Sequence, residues 1–223
     1  MILSIDASTT GCSVALFDRF NLISSAESRI DRSSAEMLTT LIDNVLKCGK
    51  VDKKELDAIA VAKGPGSYTG LRIAVSTAKG LAFALDKPLL SFGTLELLAH
   101  QVFGFSGDLL CPLIDARRME VYCAFFDANS KKIISEVEAI IINSDSFQDI
   151  LDNNKVLFFG EGSAKCEEVI KHPNAIFLNE IILPSAVYSG KICYDKYISG
   201  DFEDLTLFEP NYLKEYMFKI KKP

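Results

Sequence analysis

The sequence predicts an α/β protein made of two copies of one unit, each with a mixed sheet flanked by helices. Both halves show the same order of elements, with three strand-like runs followed by helix, strand, helix, strand and helix. A shift of 109 residues also brings six of the fourteen positions from Ile5 to Asp18 into identity with the second half. The composition agrees, because 48% hydrophobic and 24% charged residues in a chain of 223 are ordinary for a globular protein.

The elements of the first half follow from apolar runs and capping residues. Each predicted strand is apolar or β-branched and lies between polar turns. Ser33 and Glu36 form a capping box, Gly49 is a stop signal, and Ser67 and Thr94 open the next two helices. The predicted elements are strands 2–6, 12–18 and 22–27, a helix ending at Gly49, strand 56–62, helix 67–85, strand 88–92 and helix 94–103.

The second half repeats this order after Gly107. The predicted elements are strands 109–115, 120–128 and 133–142, helix 144–152, strand 156–160, helix 163–172, strand 175–178 and helix 185–198. The repeat predicts an N-terminal subdomain at residues 1–106, a C-terminal subdomain at 107–199 and a tail at 200–223. The last helix is a candidate to pack back on the first subdomain.

A duplicated unit of three meandering strands and alternating helices is typical of the actin-like ATPase fold (ASKHA, ribonuclease H-like). Two unrelated hairpins in one mixed domain would leave a similar pattern and stay open as the alternative. In the actin-like fold, two hairpin turns face each other across a cleft and hold the phosphates of ATP. An Asp on each hairpin organises Mg²⁺ there. The corresponding positions of this chain, which we interpret as vestigial, are Asp6, Ser8, Thr9, Thr10 and Asp115.

The two predicted turns differ in their suitability for phosphate. The first, from Asp6 to Gly11, is rich in Ser and Thr and contains a glycine. The second carries Arg117, Arg118 and Met119 and no glycine, so long side chains occupy the place where phosphate would approach. The sequence therefore disfavours kinase or ATPase chemistry and predicts no cofactor bound strongly by the isolated chain.

The glycine block at residues 64–72 has two interpretations. It is either a loop that cradles phosphate at a helix N-terminus or a strand-to-helix turn in which Ser67 caps the helix. It is not a P-loop, because no Gly-Lys-Ser/Thr follows. Its spacing favours the structural interpretation.

Other function classes lack the residues they require. The two histidines, His100 and His172, stand far apart and have no second ligand at chelating spacing, and no Gly-x-Ser-x-Gly elbow is present. We therefore predict neither catalytic nor metal-binding residues. A net charge of -6 opposes nucleic-acid binding by overall charge. No apolar run reaches membrane-spanning length and no signal peptide is evident, which predicts a cytoplasmic protein.

Four segments of the chain resemble the bacterial TsaB (YeaZ) family. They are Met1 to Thr9, Gly64 to Ile73, Asp115 to Arg118 with Glu120 to Tyr122, and Pro210 to Lys214. The glycine block is the most specific of them, and the resemblance covers nearly the whole chain. It implies the actin-like fold and a role in forming threonylcarbamoyladenosine in tRNAs that read A-starting codons.

The resemblance also implies that the chain is not an enzyme. Family members are inactive paralogues that pair with the metal-bearing transferase TsaD, help recruit the ATPase TsaE, form homodimers when alone and meet tRNA only through the complex. The related transferase carries two metal-binding histidines on the helix that corresponds to residues 34–47, which here has none. ATP or ADP would then have a place only at a partner interface. The competing functions are a small-molecule kinase of the same fold and, with less support, a glycoprotease-like peptidase.

A non-catalytic subunit must act through a surface. Family members use the first two helices of the N-terminal half to dimerise or to join TsaD, whereas the alternative is that both apolar stripes simply face the sheet. The second helix has apolar residues on more than one face, which favours a partner. The predicted interface residues are Met37, Leu38, Leu41, Val45, Tyr68, Leu71, Arg72 and Val75.

Overall fold

The computed structural model describes residues 1–30 and 34–213. The predicted cap Ser33 and residues 214–223 of the predicted tail lie outside the described residues. The strands are β1 (Ile2–Asp6), β2 (Cys12–Asp18), β3 (Asn21–Ser28), β4 (Ala58–Ala62), β5 (Leu89–Phe92), β6 (Leu109–Asp115), β7 (Glu120–Cys123), β8 (Phe126–Asp127), β9 (Glu138–Ile141), β10 (Val156–Phe159) and β11 (Ala175–Phe177). The α-helices are α1 (Ser34–Gly49), α2 (Tyr68–Leu85), α3 (Thr94–Ala99), α4 (Gln148–Leu151), α5 (Ser163–Val169) and α6 (Gly190–Ser199).

The strands form two sheets with the same internal order. The first sheet runs β3-β2-β1-β4-β5, and the second, read in the equivalent direction, runs β9-β7-β6-β10-β11. In each sheet the central strand pairs antiparallel with the hairpin strand on one side and parallel with a strand on the other. The predicted actin-like architecture of two mixed sheets with flanking helices is confirmed by this repeated topology.

The two central hairpins differ by one residue at the turn. Asp6 pairs with Ser13 in the first hairpin, so residues 7–12 make the turn. Asp115 pairs with Val121 in the second hairpin, so residues 116–120 make a turn that is one residue shorter. The turn therefore differs between the copies in length as well as in sequence.

The first sheet is covered by helices on both faces. On one face, α1 packs on β2 and β3 and α2 packs on β4, because their apolar stripes fill the core with alternate residues of the strands. On the other face, α6 packs on β1 and β5. Ile192 and Cys193 of α6 lie in one buried cluster with Ile2, Leu90 and Phe92. The last helix therefore completes the core of the first sheet.

The chain that leads into α6 is tied to the first sheet by buried hydrogen bonds. The Ala186 N–H donates to Ser13 Oγ at 2.8 Å, and the Ser189 hydroxyl donates to Ser4 Oγ at 2.6 Å. Ser185 also bonds Glu27, and the Arg29 guanidinium donates to the Pro184 carbonyl at 3.2 Å. These contacts join residues more than 150 positions apart in the chain.

Several predicted elements are shorter than the sequence pattern indicated. The predicted strand 120–128 divides into β7 and β8, because the Phe125 N–H donates to Ser135 Oγ rather than to a neighbouring strand. The predicted strand 133–142 is reduced to β9, with exposed side chains at Ile133 and Ile134 before it. The predicted helix 144–152 begins only at Gln148, because polar side chains of residues 143–146 form a turn with the backbone instead. The predicted helices 94–103, 163–172 and 185–198 are reduced to α3, α5 and α6.

Candidate functional site

A cleft of about 500 Å³ lies between the two hairpin turns. The first turn contributes Ser8, Thr9 and Thr10, and the glycine block contributes residues 65–69. The second subdomain contributes Asp115, Arg117, Tyr122 and Glu161, and the end of the described chain contributes residues 211–213. The structure thus brings together Ser8, Thr9, Thr10 and Asp115, with Asp6 beneath Ser8.

The carboxylate of Asp6 is committed to its own turn. It is 3% exposed, and its Oδ1 accepts the Ser8 hydroxyl at 2.6 Å and the Ser8 N–H at 3.3 Å. Burial outweighs these hydrogen bonds and raises the pKa of the Asp6 carboxyl from 3.8 to about 6. A carboxyl with these partners and this environment is poorly placed to coordinate a metal ion from the cleft.

Two glycines of the block, Gly66 and Gly70, allow its backbone to pack closely against the first turn. A β-carbon on Gly66 would lie 2.0 Å from the Ser8 carbonyl oxygen, and one on Gly70 would lie 2.1 Å from that of Ala7. The Ser67 N–H donates to the Ser8 carbonyl at 2.6 Å, while the Ser67 hydroxyl accepts from the Gly70 N–H at 3.3 Å. The block is a strand-to-helix turn packed on backbone, which supports the structural interpretation made from the sequence.

The second turn is held by a lysine that the sequence analysis did not single out. Lys165, on α5, places its ammonium 2.5 Å from Asp115 Oδ1. The same ammonium donates to the carbonyls of Arg118 at 2.8 Å and Glu120 at 2.6 Å. Asp115 Oδ1 also accepts the Arg117 N–H at 2.7 Å. No local sequence signal marks Lys165, because it meets this turn from 50 positions away.

Arg117 and Arg118 adopt backbone angles that side chains rarely take. Their φ angles are +69° and +53°. In the first turn a glycine, Gly11, has a φ of +84°, but it lies nearer the end of that turn. The second turn, which the sequence predicts to be unsuited to phosphate, therefore differs from the first turn in backbone conformation. The hydrogen bonds from Lys165 and from the Arg117 N–H hold it in this conformation.

A hydrogen bond between described residues joins the two walls of the cleft. The Thr10 hydroxyl donates to Glu161 Oε1 at 3.4 Å. Desolvation raises the pKa of the Glu161 carboxyl, and the negative charge of Asp115 acts in the same direction. Glu161 is a second cleft residue that the sequence analysis missed, because it lies between Gly160 and Gly162 in no recognised pattern.

Aromatic side chains close one side of the cleft. The rings of Tyr68 and Tyr212 lie 4.9 Å apart between centroids. The Arg72 guanidinium stands 5.4 Å from the Tyr68 ring centroid and donates to its hydroxyl at 2.6 Å. The chain before Tyr212 is fixed by the Asn211 N–H, which donates to the Lys63 carbonyl at 2.7 Å. Of the residues predicted as partner contacts, Tyr68 thus lines the cleft, and Arg72 contacts Tyr68 without lining the cleft itself.

The cleft does not fit Mg²⁺-ATP held as the actin-like fold holds it. Asp6 is bonded to Ser8, Asp115 is paired with Lys165, and Gly66 is packed on a carbonyl oxygen. The long side chain of Arg117 lines the place where a glycine would admit phosphate. These are the arrangements that make Asp6, Ser8, Thr9, Thr10 and Asp115 a poor magnesium and phosphate site.

The described residues contain no group of three or more potential metal ligands. His100 Nδ1 lies 2.9 Å from the Glu96 carbonyl, and His172 lies 3.3 Å from Asp152, so each histidine has a local partner. None of the described helices is both long and apolar enough to cross a membrane.

The structure corrects part of the predicted interface. Five of its residues are 1–6% exposed and belong to the core of the same chain: Leu38, Leu41, Val45, Leu71 and Val75. The reason is that α1 and α2 each have an apolar stripe that the first sheet requires. Met37 is 36% exposed, and Arg72 is exposed as well. Phe83 of α2, which was not among the predicted residues, is 81% exposed.

Comparisons with known proteins agree with the predicted resemblance. The family model described as TsaD, tRNA N6-adenosine threonylcarbamoyltransferase, matches residues 26–216. The chain is 30% identical over 172 residues to the tRNA threonylcarbamoyladenosine biosynthesis protein TsaB of Bacillus subtilis, covering 76% of this chain and 75% of that protein. It is 27% identical to the TsaB of Haemophilus influenzae over 100% of this chain and 97% of that protein. The solved structure of YeaZ from Pseudomonas aeruginosa matches with a TM-score of 0.81 and 28% identity, over 95% of this chain and 99% of that one.

Proposed function

Because this chain belongs to the TsaB (YeaZ) family of tRNA threonylcarbamoyladenosine biosynthesis proteins, we propose that it is the non-catalytic subunit of a threonylcarbamoyl transfer complex. It pairs with the transferase TsaD and, through that pair, with the ATPase TsaE. It forms a homodimer when alone and meets tRNA only through the complex, in the cytoplasm. It binds no cofactor strongly by itself, and ATP or ADP has a place only at a partner interface.

The observation that carries this proposal is that both cleft carboxylates already have partners within the chain: Asp6 accepts from Ser8, and Asp115 pairs with Lys165. Asp6 and Asp115 are the residues that would organise a metal in an active member of the fold, and each is bonded within its own subdomain. A chain with this cleft contributes to the reaction by binding a catalyst rather than by transferring a group.

The surface proposed for TsaD is the outer face of α1 and α2. Its exposed apolar residues are Met37 and Phe83, and Arg72 adds a charge. An 81% exposed phenylalanine leaves a large apolar area in water, which a partner would cover with a gain in free energy. The buried stripe of the same helices stays in the core, so a charge at Leu41 would test folding rather than binding.

The test is co-purification of this chain with TsaD, using two matched variants. Phe83→Glu places a charge on the proposed surface, whereas Phe103→Glu places the same charge at a residue that is 78% exposed elsewhere. We expect Phe83→Glu to weaken the complex about tenfold or more, as loss of an interface anchor does. Phe103→Glu should bind like the unmodified chain. Equal binding by the two variants would contradict the proposed surface.

The absence of turnover is tested separately. The purified chain alone, given Mg²⁺-ATP and tRNA, should convert neither, and activity should require TsaD. Micromolar binding of Mg²⁺-ATP to the isolated chain in titration calorimetry, lost on Asp6→Ala, would favour the small-molecule kinase instead. Chelator-sensitive cleavage of a protein substrate would favour the peptidase.

A further inference from the structure

Lys165 has the contacts of a bound cation. Its ammonium lies within 2.5–2.8 Å of three oxygens, which belong to the Asp115 carboxylate and to the carbonyls of Arg118 and Glu120. A carboxylate and two carbonyls are the donors that hard cations take in proteins. An ammonium has three N–H donors, so one lysine satisfies all three acceptors. The side chain is 19% exposed, and the ammonium therefore stands largely shielded within the second subdomain.

The Lys165 ammonium lies at the carboxylate that ends β6. Asp115 is the second-half equivalent of Asp6 and ends β6, where the actin-like fold uses a carboxylate to organise Mg²⁺. Here that carboxylate meets a positive charge supplied by α5 of the same chain. A single positive charge is thus already present at this carboxylate, and it cannot dissociate because it belongs to the chain.

The turn beside it needs such support. Arg117 and Arg118 have φ angles of +69° and +53°, a region that residues other than glycine occupy uncommonly and at a cost in free energy. The ammonium binds the turn on both sides of these residues, through Asp115 before them and Glu120 after them. It also binds the carbonyl of Arg118 itself.

We propose that the Lys165 ammonium is a built-in replacement for the divalent cation of the actin-like cleft, and that it fixes the second turn without nucleotide. The wall of the cleft that carries Arg117 then keeps one shape whether or not ATP is present. This proposal depends on the contacts of Lys165 and holds whether or not the chain pairs with a transferase.

The first test is amide hydrogen exchange of the full chain with Lys165→Met, which keeps the apolar stem and removes the charge. The control is Lys191→Met, since Lys191 also pairs with an aspartate, Asp195, at 2.5 Å but makes no carbonyl cage. We expect the Ala116, Arg117 and Glu120 amides to exchange roughly tenfold faster in Lys165→Met, as loss of hydrogen bonds from a charged donor predicts. Ser67, in the first subdomain, and every amide of the turn in Lys191→Met should be unchanged. Equal exchange in the two variants would overturn the proposal.

The second test asks whether the lysine occupies a cation site. Mn²⁺ should broaden no resonance near Asp115 in the unmodified chain, and should broaden residues 115–121 in Lys165→Met. The broadening should disappear when Asp115→Asn is added. Broadening near Asp115 in the unmodified chain, or faster exchange in Lys165→Met without any response to Mn²⁺, would overturn the assignment of a cation site.

If Lys165→Met does not fold, the variant Asp115→Asn tests the same contact. Asp115→Asn keeps the size of the side chain and removes the charge that Lys165 faces. It keeps a side-chain oxygen that can accept the Arg117 N–H but removes the ion pair with Lys165, so exchange at Arg117 should accelerate while the first turn is spared. Unchanged exchange at Arg117 in this variant would count against the proposal as directly as the lysine result.

Discussion

A β-carbon on Gly70 would lie 2.1 Å from the carbonyl oxygen of Ala7, so α2 can approach the first hairpin turn only because residue 70 has no side chain. Further along the same helix, Gly80 has no atom within 4 Å of the equivalent position. One helix thus contains a glycine that packing requires and another that it does not.

These two glycines give opposite predictions for stability. Gly70→Ala must displace backbone of the first turn, and we expect it to lower the free energy of unfolding by about 3 kcal/mol. The added methyl group in Gly80→Ala points into open space, and alanine has a higher helix propensity than glycine. Gly80→Ala should therefore raise the free energy of unfolding by roughly 0.5–1 kcal/mol. Urea unfolding of both variants measures the difference, and a Gly70→Ala variant as stable as Gly80→Ala would contradict the packing.

The buried carboxyl of Asp6 predicts a pH dependence. Its folded pKa is about 6 and its unfolded value 3.8, so the folded state binds more protons between these values. The free energy of unfolding should therefore fall as the pH rises from about 4 to about 6, by at most about 3 kcal/mol for this group. Asp6→Asn cannot titrate and should lack this component, while Glu161 contributes equally to both proteins. Unfolding curves at several pH values compare the two, and parallel pH profiles would refute the raised pKa.

The hydrogen bond between Ser13 and the chain leading into α6 predicts that removal of the Ser13 hydroxyl strongly lowers stability. Ser13 is 2% exposed, and its Oγ accepts the Ala186 N–H, which Ser13→Ala would leave buried without this acceptor. We expect a loss of about 1–3 kcal/mol in the free energy of unfolding. Ser199→Ala also removes a hydrogen bond, to the Lys196 carbonyl, but at an exposed residue, and should cost less than about 0.5 kcal/mol. Equal losses in the two variants would show that the Ser13 contact is not special.

Thr94 predicts a stabilising substitution. Its hydroxyl is buried, and within the described part of the chain no hydrogen-bond partner reaches it. Thr94→Val keeps the shape and removes the unsatisfied group, so we expect the free energy of unfolding to rise by up to about 1 kcal/mol. Thr94→Ser keeps the hydroxyl and loses a methyl group, and it should be destabilised. Thermal unfolding ranks the three proteins, and a valine variant below the serine variant would be the contrary outcome.

The fold could be predicted from the sequence because its determinants are local. The apolar strands, the Ser67 cap and the repeat of Ile5-Asp6-Ala7 at residues 114–116 each depend on neighbouring residues, and the structure places β1, β2 and β6 at their predicted bounds. Elements failed where a side chain competed for the backbone, as Ser135 does at Phe125.

The site was less accessible to sequence reasoning. The contact of Lys165 with Asp115 spans 50 positions, and no spacing rule reports it. The predicted interface was wrong in part for a different reason. An apolar stripe shows that one face of a helix is covered, but it does not show whether the cover is the protein's own sheet or a partner. Leu41 and Val45 are covered by the protein's own sheet, whereas the exposed Phe83 is evident only once that sheet is in place.

The return of α6 to the first sheet has a consequence for biosynthesis. Ile2, Leu90 and Phe92 emerge from the ribosome long before Ile192 and Cys193, the residues that bury them. The nascent chain must therefore carry an uncovered apolar sheet face until α6 has been synthesised. Completion of the core of the first sheet therefore waits for synthesis of α6, and a truncated product ending at residue 189 would expose that face to chaperones and proteases.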